Sequence, residues 1–173
     1  MKHIALLRSV NVGGHNKLPM AELRKHLTSF GYQDVATYIQ SGNVVLSTAR
    51  PEALAEELAS LLRTNFDIHV PVIVRDHQQL IKASEACPFP TLEPNVNHVG
   101  FFARAPAPER IALLDPDRGG QDRWQILGLE LYAHVPGGMG RTKLTGGFFD
   151  QLKEPVTFRN WRTLEKLIQM SAP

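Results

Sequence analysis

The chain of 173 residues has few cysteines, few aromatic residues, little net charge and no long apolar run. Its single cysteine, Cys87, excludes a disulfide framework and indicates a reducing compartment. No apolar run approaches the roughly 20 residues that cross a bilayer. The stretch Ile4–Leu7 is also too short for the apolar part of a secretory signal. We therefore expect a cytoplasmic protein with no membrane partner, large enough to build its core without disulfides or metals.

The net charge of +2 is far below that of a dedicated nucleic-acid-binding protein, but the charges are unevenly placed. Residues 1–48 carry five basic and two acidic side chains, and residues 141–173 carry six and three. Residues 49–140 carry eight basic and twelve acidic side chains. If the two ends fold beside one another, they form one basic face.

Over residues 3–75, apolar spacing and turn residues predict the order β-α-β-β-α-β, which is the ferredoxin-like arrangement. Proline at the start of each helix and glycine in the turns mark most of the boundaries. Pro71 favours an edge position for the fourth strand. The predicted elements are a strand over 3–10, a helix from Pro19 to a cap at Gly31, strands 34–39 and 43–47, a helix from Pro51, and a strand over 70–74.

The same order recurs, less regularly, in the remainder of the chain. We predict an α+β fold of two ferredoxin-like halves plus a C-terminal helix, with halves 1–83 and 97–173 joined by a connector over 84–96; one compact domain is the alternative. The predicted elements here are a helix over 76–83, strands 97–103, 124–127, 129–135 and 155–158, helices 108–114 and 141–152, and a helix from Asn160.

Two glycine-containing loops follow strands and precede helices. The first, Asn11–Lys17, is longer than the usual connection of about two to six residues, and an over-long polar loop is often functional. Arg8 ends the buried strand before it and needs a partner or a ligand. The second loop, around Gly137–Gly140, precedes Arg141 and Lys143. Main-chain amides at such loops bind phosphate or carboxylate, although neither loop matches a standard nucleotide motif.

Each of these sites also has a purely structural interpretation. Asn11 and Asn16 would satisfy loop main-chain groups through their side chains. An internal carboxylate is the simplest partner for Arg8. The glycines of the second loop would only turn the chain from a strand into a helix, with Arg141 and Lys143 solvated. Asn160 is a suitable N-cap and Trp161 an inward anchor, so that only Arg159 and Arg162, projecting near the helix start, favour a ligand.

Other chemistry has little support in the sequence. The seven histidines are scattered, no metal-ligand spacing occurs, and no cofactor is expected. Ser41 lies in a hairpin turn and not in a nucleophile elbow. Phe101 and Phe102 lack the full pattern of an RNA-recognition strand, so we interpret them as core residues.

The motifs Leu6–Gly14, Met20–Arg24, Thr37–Val44, Gly138–Leu144 and Thr157–Trp161 together resemble the bacterial domain-of-unknown-function 1697 family. The resemblance covers nearly the whole chain. It implies an α+β fold with ferredoxin-like elements, a cytosolic bacterial protein and no established activity. This chain has Ser9, Thr142, Arg162 and Cys87 where relatives have glycine, serine, asparagine and asparagine.

The leading hypothesis is a binding protein or small enzyme that holds a small anionic ligand, bearing phosphate or carboxylate, at a basic site formed by both chain ends. Nucleic-acid binding by the same face and a structural or interaction role are the alternatives. The sequence does not decide whether the protein is an enzyme. The candidate ligand-binding residues are Arg8, Asn11, Lys17, Tyr38, Ser41, Asn43, Arg141, Lys143, Arg159 and Asn160.

Overall fold

The computed structural model describes residues 1–89 and 94–173. Residues 90–93, which belong to the predicted connector over 84–96, lie outside the described residues. The described chain forms two compact units, one made of residues 1–81 with 167–173 and the other of residues 82–166. No helix in either described range is long and apolar enough to span a membrane.

The first part of the chain has the predicted ferredoxin-like order. Its antiparallel sheet runs β2-β3-β1-β4, so β4 lies at an edge, as Pro71 predicts. The elements are β1 (Lys2–Leu7), α1 (Met20–Phe30), β2 (Gln33–Tyr38), β3 (Asn43–Ser47), α2 (Pro51–Phe66), β4 (Val72–Asp76) and α3 (His77–Glu85).

Helices α1 and α2 cover one face of this sheet with their apolar stripes. Buried leucines of both helices share a core with Ala5 and Leu7 of β1. Gly31 ends α1 in the left-handed conformation, with φ of 107°, and Pro51 begins α2; both boundaries confirm the sequence prediction. The core fixes the helices on the sheet, and Val10 and Leu18 of the connection between β1 and α1 are also part of it.

The second sheet repeats the strand order, as β6-β7-β5-β8. Gly128 turns the β6–β7 hairpin with φ of 60°, as expected of a glycine at that position. The two sheets and their helices confirm the predicted fold class of two ferredoxin-like halves with a terminal helix. The elements are β5 (Asn97–Phe102), α4 (Pro108–Ile111), β6 (Arg123–Leu127), β7 (Glu130–His134), α5 (Gly146–Phe149), a 3-10 turn (Asp150–Leu152), β8 (Val156–Asn160) and α6 (Trp161–Ser171).

The predicted helix over 141–152 is wrong in its first half. Helical structure begins only at Gly146, because the Thr142 side chain forms hydrogen bonds that do not belong to a helix. Its hydroxyl donates to Asp122 Oδ2 at 2.6 Å and accepts the main-chain N–H of Leu144 at 3.0 Å. Side-chain bonds of this kind compete with the helical ladder, and Gly146 and Gly147 are poor helix formers.

The first strand is shorter than predicted, ending at Leu7 instead of residue 10. Arg8 donates its main-chain N–H to Pro71 at 3.2 Å, and Ser9 then takes the left-handed conformation with φ of 54°. A left-handed residue cannot continue a strand. The connection to α1 is therefore longer than the sequence indicates.

Candidate functional site

Residues 9–18, which make up most of the connection between β1 and α1, are called the Asn11 loop because the side chain of Asn11 organises them. Asn11 Nδ2 donates to the main-chain oxygens of Leu18, at 2.9 Å, and Gln40, at 2.8 Å. Its Oδ1 accepts the N–H of Leu18 at 2.8 Å. The amide thus closes the loop on itself and ties it to the turn between β2 and β3.

Further bonds fix the interior of the Asn11 loop. Asn16 Nδ2 donates to the oxygen of Ser9 at 2.9 Å, and the N–H of Asn11 donates to the oxygen of Asn16 at 3.1 Å. The N–H of His15 donates to the oxygen of Val12 at 2.9 Å. These bonds confirm the prediction that Asn11 and Asn16 satisfy loop main-chain groups.

The turn between β2 and β3 packs directly against the start of this loop. Leu7 donates its N–H to the oxygen of Gly42 at 2.8 Å. A Cβ added to Gly42, whose φ is 77°, would lie 2.5 Å from Val10 Cγ2. Only glycine permits both this conformation and this close approach.

Asn43 is fully buried and braces the same turn. Its Nδ2 donates to the oxygen of Tyr38 at 3.0 Å and to Ser41 Oγ at 2.9 Å. The structure therefore brings five of the sequence-predicted residues to one end of the first sheet: Arg8, Asn11, Tyr38, Ser41 and Asn43. Lys17 lies on the Asn11 loop beside them and is exposed.

Left-handed backbone is concentrated at this end of the sheet. Of seven described non-glycine residues with positive φ, four lie here, and Gly13, Gly14 and Gly42 add three glycines. The unusual member is Ile39, with φ of 47° and 52% exposure, because a β-branched side chain clashes with its own backbone in this conformation. The other three non-glycine residues are Ser9, Asn11 and Asn16.

Sequence reasoning missed Ile39 and the carbonyl of Gln40 as parts of this site. The turn signal Gln40–Gly42 was visible, but nothing in the sequence indicates that Asn11 reaches a carbonyl 29 residues away. The left-handed Ile39 also has no signal of its own, since isoleucine is typical of strands.

The predicted residues of the second glycine loop belong to the second unit. Gly138 has φ of 80°, and Arg141 donates its N–H to the oxygen of Gly138 at 3.1 Å. Arg141 and Lys143 are both exposed. The single basic face formed by both chain ends stays a prediction.

Arg159 does not project to solvent as predicted; this residue is only 6% exposed. It lies on β8 opposite Val99, and its Nη1 donates to Thr157 Oγ1 at 2.8 Å and to the oxygen of Phe158 at 2.7 Å. Burial disfavours the cation and lowers the pKa of the guanidinium to about 10. Strand alternation puts Thr157 and Arg159 on a buried face of the second sheet, which periodicity near a helix start did not show.

Asn160 and Trp161 have the structural roles that the sequence predicts. The N–H of Thr163 donates to Asn160 Oδ1 at 2.9 Å, which is an N-cap bond for α6. Trp161 is 1% exposed. Of the two arginines in this region, only Arg162 is exposed.

Two other predictions concern aromatic residues and metals. Phe101 and Phe102 are completely buried, which confirms their assignment to the core. They are therefore unable to stack on bases as the exposed aromatics of an RNA-recognition strand do. Within residues 1–89 and 94–173, no three histidine, cysteine, aspartate or glutamate side chains gather as metal ligands would.

Comparison with known proteins adds a family and a fold. The sequence model of the family described as "Protein of unknown function (DUF1697)" matches residues 1–132. No curated protein matches the chain. Among solved structures, the conserved bacterial protein SP0830 of Streptococcus pneumoniae is similar over 99% of this chain and 98% of its own, with 22% identity and a TM-score of 0.77. That likeness shows a shared fold.

Proposed function

We propose an anion-binding function for this chain, which belongs to the DUF1697 family of proteins of unknown function. The ligand is a small molecule that carries phosphate or carboxylate. It binds at the Asn11 loop, with Lys17 as the exposed cation, Arg8 at the base of the loop, and exposed main-chain amides as hydrogen-bond donors.

The observation that carries this proposal is the concentration of left-handed residues in the Asn11 loop and the adjoining turn. Each strained residue costs of the order of 1 kcal/mol or more, and such strain persists where the surrounding bonds determine the conformation. Here those bonds come from Asn11, Asn16 and Asn43. A rigid loop of this kind holds its groups in place before a ligand arrives, which reduces the entropy cost of binding.

The exposed tip of the loop offers suitable donors. In the described part of the chain, the amides of Gly13 and Gly14 donate to no other group, and both residues are exposed. Lys17 also makes no ion pair with any described residue. Main-chain N–H groups in turn conformations, supported by an ammonium group, recognise anions.

The test measures thermal stabilisation by inorganic phosphate, pyrophosphate and citrate. A ligand that binds only the folded state raises the melting temperature. The Lys17→Ala variant should need about tenfold more anion for the same shift, as expected for the loss of one charge-assisted bond. Lys25→Ala is the matched control, because Lys25 is an exposed lysine of the same unit, paired instead with Glu22 at 2.9 Å.

Three outcomes count against the proposal. The first is no stabilisation of the wild type by any of the three anions. The second is equal loss in Lys17→Ala and Lys25→Ala, which indicates a general charge effect. The third is tighter binding of an oligonucleotide with a steep decrease in affinity as salt rises, which indicates nucleic-acid binding by counterion release.

A further inference from the structure

A separate cavity of about 480 Å³ lies in the first unit, where α1 ends and α2 begins. This volume is within the usual range for small-molecule sites, about 300–1,000 Å³. Phe30 and Tyr32 form its apolar wall, and Gln33, Thr48, Arg50 and Glu57 are among its polar lining residues. None of these residues belongs to the Asn11 loop.

Three side chains, joined by one hydrogen bond and one ion pair, form one wall of the cavity. Tyr32 donates its hydroxyl to Glu57 Oε2 at 2.5 Å, and Arg50 Nη2 lies 2.7 Å from Glu57 Oε1. Burial is the main cause that raises the pKa of Tyr32, and the bond to Glu57 is the second. The phenol therefore stays a neutral donor. Both carboxylate oxygens of Glu57 therefore have partners before any ligand binds.

Of the two charged side chains in this group, Arg50 is the one that solvent reaches. The Arg50 side chain is 64% exposed, whereas that of Glu57 is 19% exposed. The ion pair with Glu57 is formed through Arg50 Nη2, and it leaves most of the arginine side chain accessible to solvent. A guanidinium held on one side by a carboxylate and open on the other is positioned to bind a second, external anion.

Phe30 supplies a planar apolar surface beside this cation. It stacks on Tyr32, with ring centroids 5.6 Å apart and an interplanar angle of 23°. Phe30 is nevertheless 58% exposed, one of the few large apolar side chains at the described surface. Tyr32, only 8% exposed, holds the ring from behind.

We propose that this cavity binds a small ligand in which a planar ring is joined to one anionic group, with the ring stacked on Phe30 and the anion on Arg50. Stacking and the charge-assisted bond each contribute too little for useful affinity alone, but a ligand that spans both gains from both. Carboxylate and phosphate oxygens both accept hydrogen bonds from the planar guanidinium group. Both classes of acid therefore fit the site.

The test is an NMR titration of amide signals with four probes. Adenosine 5′-monophosphate and 2-naphthoate carry a ring and an anion, whereas adenosine lacks the anion and inorganic phosphate lacks the ring. The two ring-bearing anions should shift the amides of Gly31, Gln33 and Thr48, and should bind at least about tenfold tighter than adenosine or phosphate. A response to both probes shows that the cavity accepts either acid when it is joined to a ring.

Variants separate this cavity from a general charge effect. Arg50→Ala should weaken both anionic ring probes about tenfold and leave adenosine unchanged, and Arg50→Lys should restore only part of the affinity because it lacks the planar fork. Arg63→Ala is the matched control, since Arg63 lies on α2, which Arg50 directly precedes, and pairs with Glu56 at 2.9 Å outside the cavity. Phe30→Leu should weaken every ring-bearing probe.

The proposal is overturned if Arg50→Ala and Arg63→Ala bind the probes equally, or if adenosine binds as tightly as its monophosphate. No shift of the lining amides at about 10 mM probe, a concentration above any useful affinity, overturns it as well. Because Gly13 and Gly14 report separately on the Asn11 loop, failure in this cavity is distinguishable from failure of the anion site proposed above.

Discussion

The side-chain amide of Asn11 donates to the main-chain oxygen of Gln40 at 2.8 Å and so joins the loop after β1 to the turn between β2 and β3. The same amide group bonds twice to the main chain of Leu18. Three bonds from one side chain make Asn11 the organising residue of the strained end of the first sheet. Its candidate role in ligand binding thus acts through the shape of the loop.

The Asn11→Ala variant should lose all three bonds and lower the free energy of unfolding by about 2 to 4 kcal/mol, at about 0.5–1.5 kcal/mol per hydrogen bond. Asn16→Ala is the control, because Asn16 is also left-handed but its side chain donates a single bond, to Ser9. Urea denaturation followed by circular dichroism measures both. Equal destabilisation of the two variants would contradict the organising role of Asn11.

Two glycines with nearly the same φ separate backbone strain from steric overlap. Gly42 (77°) and Gly14 (79°) each force an added side chain into the left-handed region. At Gly42 a Cβ also meets Val10 Cγ2 at 2.5 Å and Leu7 Cβ at 2.8 Å, whereas at Gly14 nothing lies within 4 Å.

We therefore expect Gly14→Ala to cost about 1–2 kcal/mol, and Gly42→Ala to cost about 2 kcal/mol more because of overpacking. The midpoints of thermal or urea unfolding measure the difference. A Gly42→Ala protein as stable as Gly14→Ala would mean that the turn and the Asn11 loop move apart without loss, and the close packing between them would then have no energetic weight.

The hydroxyl of Tyr32 should make stability decrease at alkaline pH. Burial and the bond to Glu57 raise the pKa of this phenol in the folded protein, whereas the unfolded chain releases the proton near pH 10. Below that pH both states hold the proton, and the stabilisation is fully present. Above it the unfolded state loses its proton first, so the free energy of unfolding falls as pH rises.

The measurement compares urea unfolding of the wild type and Tyr32→Phe from about pH 8 to about pH 11. The variant should be less stable than the wild type at the lower end of this range, because it lacks the bond to Glu57, but should lose less stability at the alkaline end. Tyr132→Phe is a useful comparison, since burial also raises the pKa of Tyr132 but its hydroxyl donates to the neutral carbonyl of Ala83. If the free energy of unfolding changed equally with pH in the wild type and in Tyr32→Phe, the alkaline loss of stability would not come from the Tyr32 hydroxyl.

The elements of the fold could be predicted well where one local signal decides them. The apolar stripes of α1 and α2, the cap at Gly31 and the turn at Gly128 all follow from spacing or from the conformational freedom of glycine. The segment after Gly140 could not be predicted, because Thr142 bonds to Asp122, 20 residues away, and that bond replaces the helix.

In the candidate site, too, local properties could be predicted and contacts between distant residues could not. Sequence spacing indicated that the Asn11 loop was over-long and that Asn160 would cap a helix, and both are local properties. The burial of Arg159 was missed because it depends on which face of β8 is covered. The bond between Asn11 and Gln40 was missed because it joins two connections of the sheet that are adjacent only after β1 and β3 pair.

Local signals in the sequence were enough for the two β-α-β-β-α-β repeats, because periodicity, glycine and proline act within a few residues along the chain. The sequence motifs were likewise enough for the family, which the family model matches over residues 1–132. Tertiary structure alone decided which polar side chains became internal braces and which stayed accessible. Hydrogen bonds and burial depend on groups distant in sequence, so Asn11 became a brace that reaches Gln40, while Lys17 and Arg50 kept their cations at the surface.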